Sequence, residues 1–174
     1  MNTNHSMQAA LLAATDGPFT LSRLPRPHAG AGQVLVRIHA SGVNPLDTKI
    51  RAGQAAHARQ PLPAVLGMDL AGVVAAIGPE VSDFAVGDEV FGMATGIAGV
   101  QGSLAEYAAV DARLLAKKPA NLSMREAAAL PLIVITAWEG LVDRAGVRAG
   151  QRVLIQGGAG GVGHVAVQIA RALG

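Results

Sequence analysis

Apolar positions in the first two thirds of the chain come in short runs that stop at glycine or proline, the pattern of brief strands rather than long helices. Val34-Leu35-Val36-Arg37-Ile38-His39 alternates in part, and Leu70 to Ile77 is a nearly continuous apolar run. Val86–Phe91 and Ser103–Val110 read as further strands, with turns at Gly17-Pro18, Gly78-Pro79 and Gly87-Asp88 between the runs. Such punctuation from Met7 to about Lys118 predicts a compact barrel or sandwich of antiparallel strands.

The pattern changes at Ser123. Glu126 follows at capping-box spacing, and Ala127-Ala128-Ala129-Leu130 continues in good helix formers, so a domain boundary is placed near residue 120, with segments 7–122 and 123–174. Pro131 kinks or restarts this helix, and Thr136 to Val142 carries it on until Gly146. The apolar stretch from Ala127 to Val142 reads as a buried helix, too short and too interrupted for the ~20 residues that span a bilayer. Arg148-Ala149-Gly150-Gln151 then turns into Arg152-Val153-Leu154-Ile155-Gln156, predicted to be a buried strand.

That strand runs into Gly157-Gly158-Ala159-Gly160-Gly161-Val162-Gly163, and a helical pattern begins at Val165. Gly158, Gly160 and Gly163 fit GxGxxG, in which the first glycine permits the tight turn, the second lets backbone approach a pyrophosphate, and the third brings helix against strand. A diphosphate at such a turn is bound by the unpaired N–H groups and the positive end of the helix dipole, with no basic side chain required. Gly158, Ala159, Gly160, Gly161, Val162 and Gly163 are the candidate cofactor-binding residues, and His164 is read as an exposed, solvated side chain. In a chain with 22 glycines the motif is weak alone, and a glycine turn that binds nothing is the structural alternative. A P-loop is set aside, because His164 and Val165 stand where its lysine and hydroxyl residue would be.

Composition narrows the classes. With 51% hydrophobic residues among 174, the chain buries a core; a net charge of +2 without a dense basic run argues against a nucleic-acid binder. The absence of cysteine removes disulfides, thiolate zinc sites, iron–sulfur clusters and a cysteine nucleophile, and suits a reducing cytoplasm. The polar start, Met1 to Ser6, lacks the cationic and apolar regions of a secretory signal, and Met7 is read as the natural start. The five histidines, at 5, 28, 39, 57 and 164, show no ligand spacing. The segment from Arg152 holds one strand and one helix of a doubly wound nucleotide domain, which needs several, so the chain is read as the truncated N-terminal part of a longer protein.

Five motifs in order, Ser41–Gly53 (SGVNPLDTKIRAG), Leu66–Gly72 (LGMDLAG), Val86–Gly92 (VGDEVFG), Leu130 with Thr136-Ala137-Trp138, and Gly157–Gly163, resemble the zinc-independent quinone oxidoreductase-like branch of the medium-chain dehydrogenase/reductase superfamily. The resemblance implies a GroES-like antiparallel β-barrel catalytic domain, here without its C-terminal return segment, followed by the first βα unit of a Rossmann domain. It also implies NADP or NAD as cofactor, with NADPH favoured, and a homodimer at full length. Zinc-dependent relatives carry a Cys and a His where this chain has Asn44 and Met68, neither a useful zinc ligand, so no metal is expected.

Without a Lewis acid, charge developing on a carbonyl oxygen must be met by hydrogen bonds alone; a quinone or α,β-unsaturated carbonyl eases this by spreading the charge through its π system. The substrate is therefore read as a small quinone or enone. Asn44 is the leading catalytic candidate, as a donor to the carbonyl or an orienter of the cofactor, against the alternative of an Asn-Pro turn. Lys49 is the second, against a solvated lysine, and Thr136 is assigned to the nicotinamide or ribose, against a buried threonine bonded back to its helix. Asp47 and Arg51 are read as local caps or salt bridges, and Met68, Leu70, Phe91 and Trp138 as core. The rival from another class is a non-catalytic nucleotide-binding or assembly protein with the same fold.

Overall fold

In the computed structural model, which describes residues 5–174, the alternation seen in sequence becomes two antiparallel sheets. The expectations for Met1–Asn4 lie outside the described residues. The first sheet has the order β2 (Phe19–Pro25), β1 (Ser6–Leu12), β4 (Ala64–Val65). In the second, β3 (Gln33–Ser41) lies between β7 (Tyr107–Asp111) and β5 (Asp69–Ile77), and β6 (Glu89–Met93) and β8 (Ala116–Lys117) follow beyond β5. Every named pairing is antiparallel.

One face of the larger sheet buries Val34, Val36, Leu70, Val74, Val90, Ala108 and Val110, none more than 1% exposed. Leu70 and each of these valines contributes about 1.5–3 kcal/mol on removal from water. Leu70 to Ile77 is buried on both sides over its first half because helix α2 (Met124–Ala128) covers the other face, where Ala71, Ala127 and Ala128 meet. Small alanines permit that close seat. The sequence reading grouped α2 with the second segment, but it packs on β3 and β5. The chain accordingly divides into compact units between Ala129 and Leu130.

Strand bounds move where turns intervene. The run from Val86 starts as a turn: Gly87 has φ +97°, Asp88 accepts the Ala85 N–H, and Val86 is exposed, so β6 begins only at Glu89. Likewise β7 begins at Tyr107 rather than Ser103, whose hydroxyl lies 2.6 Å from that of Ser41. The capping box forms as predicted, with the Ser123 N–H and hydroxyl both donating to Glu126 Oε2.

The second unit opens with α3 (Pro131–Trp138), which continues as a wider π-helical segment over Glu139–Arg144; α4 (Gly161–Ala172) packs against it through Ala137, Val165 and Ala166. Two expectations are corrected here. The Ala127–Val142 stretch restarts at Pro131 as read, but it is not buried throughout: Ile135 and Trp138 are about half exposed. Arg152–Gln156 is not a buried strand either. Among the described residues no strand pairs with it, and Leu154 is 96% exposed, because an extended segment becomes a strand only by exchanging hydrogen bonds with a neighbour.

Candidate active site

Asn44 stands at the point where the larger sheet gives way to helix. β3 ends at Ser41 opposite Leu70, and the Gly42 N–H extends the ladder to the Asp69 carbonyl at 3.1 Å. A side chain at 42 would put its Cβ 2.9 Å from the Asp69 Cβ and against the Ala128 carbonyl, so only glycine lets the chain pass between β5 and α2. Two residues on, Asn44 caps α1 (Pro45–Arg51), with proline in the first helical turn where no donor is missed.

Two buried carboxylates grip this cap. Asp47 Oδ2 accepts the Asn44 backbone N–H at 2.8 Å, and Asp69 Oδ2 accepts from the Asn44 side-chain Nδ2 at 3.0 Å. All three residues are buried, at 6% (Asn44), 6% (Asp47) and 1% (Asp69) exposure. The side-chain oxygen of Asn44 turns toward the Asp47 N–H in capping-box fashion, short of full hydrogen-bond geometry; that N–H donates to the Asn44 carbonyl at 3.0 Å. Both the Asn-Pro cap and an oriented amide are therefore present.

Burial raises the Asp47 carboxyl above the ordinary carboxylate range, and the N–H groups of Asn44 and Gly67 pull it part of the way back. Its Oδ1 makes no hydrogen bond, although Gly67 lies near enough to act on its charge. With Phe19, Leu66 and Leu104, Asp47 lines a small apolar cavity of about 110 Å³. Arg51 serves the local role expected of it, reaching the Gly17 carbonyl at 3.1 Å and the Asp16 carboxylate at 3.6 Å.

The other candidates fare unequally. Lys49 lies on α1 but is exposed. Thr136, in the second unit, donates to the Leu132 carbonyl at 2.7 Å, the back-bonded alternative, though on an exposed rather than a buried face. Met68 and Leu70 are core as read, Phe91 is half-buried, and Trp138 is 46% exposed, which corrects its assignment to the core. All five histidines are exposed, and His164 Nδ1 sits 3.0 Å from the Gly160 carbonyl.

In the glycine turn, the left-handed backbone falls at Gly157 (φ +74°) rather than at Gly158, so the tight-turn role moves back one residue. The Gly160 N–H closes the turn on the Gly157 carbonyl at 2.9 Å. A Cβ at Gly163 would lie 2.7 Å from the Gly157 carbonyl carbon and 2.8 Å from Gly158 Cα; the third glycine brings the helix onto the turn as the motif requires. The first-turn amides of α4, at Gly161, Val162 and Gly163, have no helical acceptor, which is the donor set a diphosphate needs.

The alcohol dehydrogenase GroES-like domain matches residues 30–120. The chain belongs to that family. It is 44% identical over 154 residues to an NADPH-dependent alkenal/one oxidoreductase, chloroplastic, of Arabidopsis thaliana, covering 86% of this chain and 40% of that protein. It is 42% identical over 152 residues to human quinone oxidoreductase, covering 87% and 43%. The crystal structure of an alcohol dehydrogenase superfamily protein from Novosphingobium aromaticivorans superposes with a TM-score of 0.95 at 67% identity, over 97% of this chain and 51% of that one. The chain thus spans about half the length of the relatives it matches or less, within the superfamily that includes the quinone oxidoreductases.

The amide of Asn44 is bonded to Asp69 and the thioether of Met68 is buried, and no group of three His, Cys, Asp or Glu side chains that could hold a metal ion occurs among the described residues. The residue that sequence reasoning passed over is Asp69. It lay in view within Leu66–Gly72, but nothing in linear sequence joins it to a residue 25 positions away.

Proposed function

We propose that this chain is the N-terminal part of an NAD(P)H-dependent oxidoreductase that reduces quinones or α,β-unsaturated carbonyls without zinc, in the cytoplasm and as a homodimer. The observation that carries the reading is the held amide of Asn44: a neutral donor, immobilised by buried carboxylates, at a position where the family resemblance puts a metal ligand of zinc-dependent relatives. When bound, NAD(P)H supplies the hydride. Gly158, Ala159, Gly160, Gly161, Val162 and Gly163 would hold its diphosphate, and Thr136, once its hydroxyl leaves the Leu132 carbonyl, would reach a ribose or carboxamide oxygen.

Asn44 has a chemical task suited to conjugated acceptors. Its Nδ2 carries two hydrogens, one given to Asp69, and the second would go to the acceptor oxygen. A preorganised donor costs no reorganisation as charge grows on that oxygen, and a π system that spreads the charge needs few such donors. Lys49, exposed at the far end of α1, is assigned the proton that completes reduction. Names of relatives that reduce alkenals, enones and quinones, one of them with NADPH, support this substrate and cofactor class.

The test is NADPH oxidation by the full gene product with 1,4-benzoquinone and with a small enone. Removal of one preorganised donor in Asn44→Ala is expected to lower kcat by about 10²-fold. Binding of NADPH without turnover of either acceptor would favour the non-catalytic rival, and tightly bound zinc in protein purified without chelators would overturn the metal-free reading.

A further inference from the structure

We infer that Asp69 is a positioning residue for the proposed reaction: its carboxylate selects one of the two orientations of the Asn44 amide and so decides that a donor, not an acceptor, is offered to the substrate oxygen. The inference rests on the reading of Asn44 just proposed. An asparagine amide is nearly symmetric in shape, and rotation by half a turn exchanges an acceptor oxygen for a donor nitrogen at little steric cost. Something must therefore choose between the two.

At 3.0 Å from Asp69 Oδ2 the Asn44 group facing it is the NH₂, which donates to that oxygen. The opposite orientation would set amide oxygen against carboxylate oxygen, two lone-pair surfaces in a buried place where repulsion is poorly screened. The backbone adds a second constraint. The Gly42 N–H is bonded to the Asp69 carbonyl and the Asn44 N–H to Asp47, so the Cα of Asn44 is fixed from both sides; the capping-box approach of its Oδ1 to the Asp47 N–H, short of full hydrogen-bond geometry, favours the same amide orientation that the hydrogen bond to Asp69 holds.

Placement by the fold explains why an acid so far away in sequence does this. Asp69 is the first residue of β5, paired with Met93 of β6, and Ser41 at the end of β3 pairs with its neighbour Leu70. The antiparallel register therefore puts the start of one strand beside the exit of the other, and the Asp69 side chain meets the chain as it leaves the sheet. The bulge between Ile38 and Ala40 shifts that register by one residue just before the meeting point, and a shift of one is what exchanges the faces on which side chains lie.

Asp69→Asn, which keeps the shape but admits both amide orientations, is expected to lower kcat about 10-fold with KM for 1,4-benzoquinone within about 2-fold of wild type, since an interaction made mainly in the transition state is lost. In an Asn44→Ala background the same change is expected to alter kcat by less than about 2-fold, because the residues act as a unit. Equal losses in both backgrounds, or Asp69→Asn at the wild-type rate, would overturn the inference. A second measurement is independent of turnover and of the variant's folding: the Asn44 side-chain amide resonances of the wild-type protein, assigned by their loss in Asn44→Ala. One of the two protons is expected well downfield of other asparagine amides, as a carboxylate-bound N–H; two ordinary shifts would also overturn it. If Asn44→Ala turns over at the wild-type rate while the downfield proton is present, the reading of Asn44 fails and the hold of Asp69 on its amide stands.

Discussion

Leu70 and Leu154 occupy similar patterns, each within an apolar run leading from or into glycine, yet one is fully buried and the other 96% exposed. The first unit supplies Leu70 with strands on both sides, β3 and β6, and with α2 across one face. Around Leu154 the second unit supplies a single helix pair and no strand partner among the described residues. Propensity is the same in both places. What differs is whether the backbone N–H and C=O groups find acceptors and donors, and the comparison teaches that an apolar run specifies a strand only together with its neighbours.

The largest effect separates the two leucines directly. In this 174-residue chain, Leu70→Ala is expected to cost about 2–5 kcal/mol in urea unfolding, and Leu154→Ala less than about 0.5 kcal/mol. Repeating Leu154→Ala in the full gene product sharpens the point: a cost of about 2 kcal/mol or more there would mean that the segment acquires sheet neighbours, and an unchanged small cost would break the Rossmann reading of this region.

Next in size is a contrast between glycines of the turn. Gly163→Val must push its branch into the Gly157 and Gly158 backbone and is expected to destabilise the second unit by about 1–3 kcal/mol, read as loss of helical signal at lower temperature. Gly158→Ala meets no atom closer than 3.5 Å and should leave the melting curve nearly unchanged, while weakening NADPH binding by crowding the diphosphate. If Gly158→Ala instead leaves NADPH affinity intact, the turn serves packing alone.

The smallest effect concerns pH and belongs to the first unit, which holds the buried carboxyls Asp47 and Asp69. Burial raises the folded-state pKa of Asp47 above its unfolded value, so its contribution is fully present below about pH 4 and is lost as pH rises through the folded pKa. Melting temperature measured for Asp47→Asn minus wild type should therefore climb from the acid side toward neutrality. Asp111, held at about 2 by Arg113, carries the opposite sign: its contribution is present above the ordinary value and fades as pH falls toward 2. A difference curve for Asp47→Asn that falls with rising pH would contradict the burial assigned to it.

Much of the fold is legible in the sequence. The strands through Val34–His39 and Leu70–Ile77, the Ser123–Glu126 capping box and the glycine turn all follow from interactions within a few residues. The misreadings share a cause. Arg152–Gln156, Trp138 and the extent of β6 and β7 depended on what lies opposite, which periodicity does not report. The site divides the same way: Asn44 stood out through its Asn-Pro neighbours, whereas Asp69 became part of the site only through the register of β3 and β5.

By itself, then, the sequence determined the local pieces: antiparallel strands punctuated by glycine and proline, a capped alanine helix, a turn with bare amides, and a chain without cysteine. Side-chain chemistry and backbone propensity act over short spans, so these could be read along the chain. The tertiary structure alone decided that α2 seats on the larger sheet, that the apolar 152–156 segment stays in solvent, and that two acids grip one asparagine. Each of those outcomes is a pairing across tens of residues, set by register and burial rather than by the identity of any one of them.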